Sequence, residues 1–177
     1  MILIGGASGV GKTSVSVALA NQLRISRVVS TDSIRQIMRL MISPDLMPAL
    51  HASSYTAWKV AGAVSVEDAN PVISAFREQV MRVGVGVKAI IARALEENDS
   101  IIIDGVHLLP DLLDLKPFAG DAIFVWVNLH IEDEKQFTRR FKQRGKEATK
   151  RSAHRYVENI DAILEIQRHI LSTGKEH

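Results

Sequence analysis

Gly6, Gly11, Lys12 and Thr13 carry the strongest chemical signal in this chain. They lie in the run GGASGVGKT at the spacing G-x-x-x-x-G-K-[ST]. A segment of this kind turns tightly at its glycines, so that backbone N–H groups and the positive end of the following helix converge on phosphate oxygens. Gly6, Ala7, Ser8, Gly9, Val10, Gly11, Lys12, Thr13 and Ser14 are therefore the expected cradle for nucleotide phosphates. Within it, Lys12 is expected to bridge the β- and γ-phosphates and Thr13 to place its hydroxyl on Mg²⁺. The flanks agree with this reading. Ile2, Leu3 and Ile4 read as a buried parallel strand, and Ser14 to Leu23 has the apolar spacing of an amphipathic helix.

Two acids could complete such a site. Ile101, Ile102 and Ile103 run straight into Asp104, Gly105, Val106 and His107, an apolar strand ending in an acid. At the carboxyl edge of a parallel strand, Asp104 can hold a Mg²⁺-bound water; otherwise it caps the next turn. His107 either touches substrate or is hydrogen-bonded into its own loop. Asp32 follows a second strand and can accept the proton of an attacking hydroxyl or align it with the γ-phosphate. Arg35, one helical turn on, can offer a forked contact to a phosphate or carboxylate of the acceptor. The bland alternative for this pair is a capping aspartate beside a solvated arginine.

The third constellation is basic. Eight Lys or Arg residues lie between Arg139 and Arg155, with Glu147 as the single acid. Arg140 and Arg144 are four apart on a predicted helix, and Lys150, Arg151 and Arg155 lie beyond a loop. Such a run can be a solvated face, or it can close over a triphosphate as a lid that neutralises developing charge and excludes water. The functional reading places Arg140 and Arg144 in catalysis, Arg144 also on the nucleotide, and Arg151 and Arg155 on the acceptor.

These groups need a scaffold, and the chain alternates strands with helices without repeat or linker. The second strand is expected at Arg27 to Ser30, leading through Thr31 or Asp32 as cap into a helix at Ser33 to Met41. A short helix is expected near Ser54 to Val64. Asn70 and Pro71 read as cap and first turn of a long helix, weakened at Gly84 and Gly86. Strands follow at Ser100 to Ile103 and Ala122 to Leu129, then helices at Asp133 to Arg144 and about Ser152 to Leu171. At 177 residues the chain suits one domain; it has no cysteine, which excludes thiolate metal sites and cysteine nucleophiles. No apolar run approaches the roughly 20 residues of a membrane span, and the early phosphate loop leaves no room for a signal peptide. A soluble, cytoplasmic protein with no membrane partner is the expectation. The net charge of +2 is local rather than global, which favours a small polyanion over nucleic acid. The sequence assigns no oligomeric state.

Taken together, the loop IGGASGVGKT, the turn STDSIR, the tract SSYTAW, the helix positions Phe76, Gln79, Gly86, Arg93 and Ala94, the edge DGVHLLP, and RRFKQR with RSAHRY resemble the 2-phosphoglycerate kinase family. The resemblance covers nearly the whole chain. It implies an α/β P-loop kinase: one three-layer sandwich over residues 1–177, a parallel sheet in the order 2-3-1-4, and a basic lid at about 139–155. It also implies ATP and Mg²⁺ as cofactors and phosphorylation of 2-phospho-D-glycerate, a small phosphorylated hydroxy acid, to 2,3-bisphosphoglycerate. The two anionic groups of that acceptor need cationic partners, for which Arg35, the lid arginines, His107, Lys59 and Arg77 are candidates. Two departures stand out. Asp104 occupies the place where the family's pattern leads one to expect glutamate, and neither a fifth strand nor an N-terminal extension is expected within this chain.

Overall fold

The computed structural model describes the backbone of residues 1–60, 70–147 and 155–176, and their side chains except those at 140, 142–147 and 176. Four strands, Ile2–Gly5 (β1), Arg27–Ser30 (β2), Ile101–Gly105 (β3) and Val125–Asn128 (β4), form one parallel sheet in the order β2-β3-β1-β4. The helices are Lys12–Leu23 (α1), Thr31–Met41 (α2), Pro71–Glu96 (α3), Glu134–Glu147 (α4) and Ile160–Glu176 (α5), with residues 155–158 also helical.

The isoleucine run of β3 explains the layering. Successive side chains of a strand point to opposite faces, and a central parallel strand is covered on both, so it carries no polar alternation. Ile101, Ile103 and Leu3 pack with Ile34 of α2 and with Val83, Val87 and Ile91 of α3. Ile102 and Ile4 point the other way, onto Ala20 of α1. The sheet is thus held between α1 on one face and α2 and α3 on the other, the expected three-layer sandwich.

Strand register brings the chemistry to one level. Asp104 pairs with Ile4 on one side and Ser30 on the other, while Gly5 pairs with Gly105 and Asn128. The chain segments that follow β1, β2 and β3 therefore leave the sheet side by side. Above them a further cluster, including Phe76, Phe137, Phe141, Tyr55, Val106 and Ile163, ties α3, α4 and α5 to the phosphate loop. Burying one such phenylalanine contributes about 1.5–3 kcal/mol.

Local signals account for most element ends. Asn70 accepts hydrogen bonds from the amides of Val72 and Ile73, with Pro71 in the first turn of α3. Three expectations change. The cap of α2 is Ser30, whose hydroxyl accepts from the amide of Ser33 at 3.0 Å, so the helix begins at Thr31 and neither Thr31 nor Asp32 caps it. The helix α3 runs unbroken through Gly84 and Gly86; a Cβ at Gly86 would collide with Ile34, so this glycine serves the close approach of α2. The short helix expected near Ser54 to Val64 is a 3₁₀ turn at Ala57–Lys59, and 61–64 lie outside the described residues. Among the described residues the sheet has four strands, and no helix is long and apolar enough to cross a membrane.

Candidate active site

The loop from Gly6 to Gly11 leaves β1 with positive φ at Gly6 (139°), Gly9 (89°) and Gly11 (100°), conformations that side chains with a Cβ adopt only under strain. Gly9 has a second reason to lack a Cβ, because the ring of Phe141 rests directly on it. Gly11 is the N-cap of α1, and among the described residues no side chain caps that helix start, which leaves its first amides to face an anion. Ala7 and Val10 point inward, buried in the cluster with Phe137 and Phe141, so they shape the loop through packing and offer a ligand only backbone. The ammonium of Lys12 donates across the loop to the carbonyl of Ala7 at 2.8 Å.

A pocket of about 180 Å³ opens over this loop. Ser8, Gly9, Gly11, Lys12, Thr13 and Ser14 form one wall, Ser30 and Asp32 another, and Asp104, Gly105, Val106 and Tyr156 the rest. The structure thus brings the phosphate loop and both candidate acids together, although the acids are 72 residues apart in sequence. Their environments are opposite. The Asp32 side chain is 67% exposed, with a 3.5 Å contact to Arg35. Asp104 is 2% exposed, and among the described residues its Oδ2 is buried without a hydrogen-bond partner. A carboxylate lining the same pocket as the Thr13 hydroxyl suits a hydrated divalent cation, which needs one or two protein oxygens and keeps its waters.

His107 overturns the substrate-contact expectation. It is fully buried, with Nδ1 2.8 Å from the Thr31 hydroxyl and Nε2 3.0 Å from Oε1 of Gln79. Burial above all lowers its pKa to about 4, with Arg35 and Lys12 acting in the same direction against the opposing pull of Asp32. The ring is neutral at pH 7 and enclosed, bonded to side chains of α2 and α3 rather than into the loop that carries it.

Arg35 is also turned inward. It is 8% exposed; its Nη1 donates to the carbonyls of Leu50 at 2.8 Å and Ala52 at 2.9 Å, and its Nε faces Asp32. In this conformation it braces the 50–52 segment, and the free fork expected toward an acceptor is not presented. Lys59 and Arg77 do not line the pocket either: Lys59 donates to Asn159 at 2.7 Å, and Arg77 pairs with Asp111.

Of the basic lid, Arg140 and Arg144 occupy positions four apart in α4, Arg155 is exposed at the start of the helical residues 155–158, and Arg151 lies outside the described residues. Tyr156 is the site residue that sequence reasoning missed. Its ring stacks on Phe141 at 4.9 Å and 17° and tilts against Tyr55 at 5.6 Å, joining the residues after the basic run to the phosphate loop and to the SSYTAW tract. Burial raises the pKa of the Tyr55 phenol. The available signal was an aromatic residue directly following the basic run.

A parallel 2-3-1-4 sheet with a glycine-rich loop after β1 and an acid at the end of β3 defines a P-loop α/β domain. The AAA_18 family, described as an AAA domain, matches residues 2–162, and the chain belongs to that family. Among curated proteins it is similar to three archaeal 2-phosphoglycerate kinases. Identity is 36% to that of Pyrococcus furiosus over 100% of this chain and 56% of the relative. It is 39% to that of Methanothermobacter thermautotrophicus, over 100% and 58%. It is 40% to that of Methanocaldococcus jannaschii, over 99% and 55%. The chain therefore spans little more than half the length of these relatives.

Proposed function

We propose that this chain is an ATP- and Mg²⁺-dependent kinase domain that transfers the γ-phosphoryl group to a hydroxyl of a small phosphorylated hydroxy acid, with 2-phospho-D-glycerate as acceptor and 2,3-bisphosphoglycerate as product. The observation that carries the reaction type is the convergence of Lys12, Thr13, exposed Asp32 and buried Asp104 on one pocket. The acceptor rests on the likeness to 2-phosphoglycerate kinases over the whole of this chain.

In this reading the loop amides and the start of α1 hold the phosphates, and Lys12 exchanges the Ala7 carbonyl for phosphate oxygens. Thr13 and Asp104 would hold Mg²⁺, which when bound neutralises phosphate charge. Asp32 accepts the proton of the acceptor hydroxyl as that oxygen bonds to the γ-phosphorus and the bond to ADP breaks. Arg140, Arg144, Arg151 and Arg155 gather around the charge and exclude water. Little covalent work falls to the protein; positioning and electrostatics supply the rate.

The test is ADP release with Mg·ATP and a panel of acceptors. 2-Phosphoglycerate should stimulate release far more than 3-phosphoglycerate, glycerate, gluconate or a nucleoside monophosphate, because the phosphate position decides which hydroxyl is in line. Equal or better activity with any rival refutes the acceptor. Silence with all of them makes the domain a nucleotide-binding module. Asp32→Asn should keep ATP binding and lose transfer by orders of magnitude, since the amide keeps the shape without accepting the proton.

A further inference from the structure

A buried chain of polar side chains connects the pocket wall to a segment that does not line it. Gln79 on α3 is fully buried, and its amide nitrogen faces two carbonyls, Ala49 O and Ala52 O, the latter at 3.1 Å. Carbonyls only accept, so the group facing them is the NH₂ and the group facing His107 is Oε1. Oε1 likewise only accepts, so His107 carries its proton on Nε2. Its Nδ1 is then the acceptor, and the Thr31 hydroxyl, 2.8 Å away, must donate to it. Every donor in the chain has one direction.

The same turn is packed without slack. Thr31 lies so close to Gly105 that a Cβ on that glycine would overlap its hydroxyl. Thr31 precedes Asp32 directly, Gly105 follows Asp104 directly, and Arg35 from the same helix grips Leu50 and Ala52 from the other side. The segment 49–52 is therefore tied twice to α2, once through Arg35 and once through Gln79, His107 and Thr31.

We propose that Gln79 and His107 are positioning residues that lock the 49–52 segment to the Thr31–Asp32 turn, so that the carboxylate of Asp32 keeps one geometry at the pocket. This rests on the kinase reading above and deepens it: Asp32 is set by a relay that does not itself line the pocket. Neither residue reaches the pocket, and their effect on transfer passes through Asp32.

The test uses Gln79→Met, which keeps length and removes both hydrogen-bonding ends, and Thr31→Val, which keeps shape and removes the single donor. For each variant we expect kcat/KM for the acceptor to fall at least tenfold while the Kd for Mg·ATP, read by calorimetry, stays within about twofold. The double variant should lose little more than the worse single one, because both cut the same chain. Additive losses, an equal loss of ATP affinity, or unchanged kcat/KM in a folded variant would overturn the proposal. Amide exchange in the ligand-free protein separates it from the kinase reading. Gln79→Met should speed exchange at both 49–52 and 31–33, even if the wild-type protein transfers to no acceptor. Acceleration confined to 49–52 would show no coupling and would also overturn the relay. Should Gln79→Met fail to fold, Thr31→Val alone decides by the same two readouts.

Discussion

Replacing Asp104 by asparagine should make the ligand-free protein more stable and the loaded protein less so. Asp104 is 2% exposed, and among the described residues its Oδ2 is buried with no hydrogen-bond partner. Leaving such a group unsatisfied costs about 1–3 kcal/mol, more when it is charged. The amide keeps the shape and removes the charge. Relief of about 1–2 kcal/mol corresponds to a rise in Tm of roughly 2–8 °C for a domain of this size. The gain reverses when Mg·ATP is present. If Asp104 holds a water of the metal and its loss weakens Mg·ATP about 100-fold, up to about 2.7 kcal/mol of ligand-linked stabilisation disappears, or roughly 5–10 °C of thermal shift. Differential scanning fluorimetry of both proteins with no ligand, with ATP alone and with ATP plus Mg²⁺ reads all terms at once. The refuting result is a variant that melts lower without ligand and keeps its full Mg²⁺-dependent shift, which would make Asp104 a structural acceptor.

Two further perturbations test other parts of the site. Lys12→Ala should cost turnover by orders of magnitude in a coupled ADP assay while urea titration shows the protein still folded in the absence of denaturant, the Ala7 carbonyl losing its ammonium donor; normal turnover would remove the phosphate-loop assignment. His107 predicts a pH effect of defined sign. Its pKa lies at about 4 in the folded protein against 6.5 ordinarily, so between these values the unfolded chain binds the extra proton. Its contribution is complete above pH 6.5 and is lost as pH falls toward 4, by roughly 3 kcal/mol at about 1.4 kcal/mol per unit. His107→Gln should therefore show a shallower loss of stability than the wild-type protein across that window in urea titrations, and parallel curves would place the ring in contact with solvent.

What could be read in the sequence was local. The phosphate loop from Gly6 to Thr13 is specified by neighbours within a few residues, because glycine spacing and a helix start dictate its backbone whatever surrounds it. The strand β3 and the acid at its end were legible for the same reason, as were Asn70 and Pro71 at the start of α3. The 2-3-1-4 order was also expected, by resemblance to a known family, and the strand pairing agrees.

The tertiary structure decided which way the polar side chains around the loop face. His107 and Arg35 stand beside the site in sequence, yet one is enclosed by Gln79 from α3 and the other is drawn onto the carbonyls of Leu50 and Ala52. No residue pattern near either of them encodes those partners. Ser30, whose backbone is still extended, caps α2, while the Thr31 hydroxyl bonds His107 and Asp32 stands exposed at the pocket. Tyr156 entered the site through its stack on Phe141, which rests on Gly9. The spacing of residues along a chain determines a local backbone shape. Where a polar side chain points depends on which distant group satisfies its hydrogen bonds once water is gone, and only the packed molecule supplies that group.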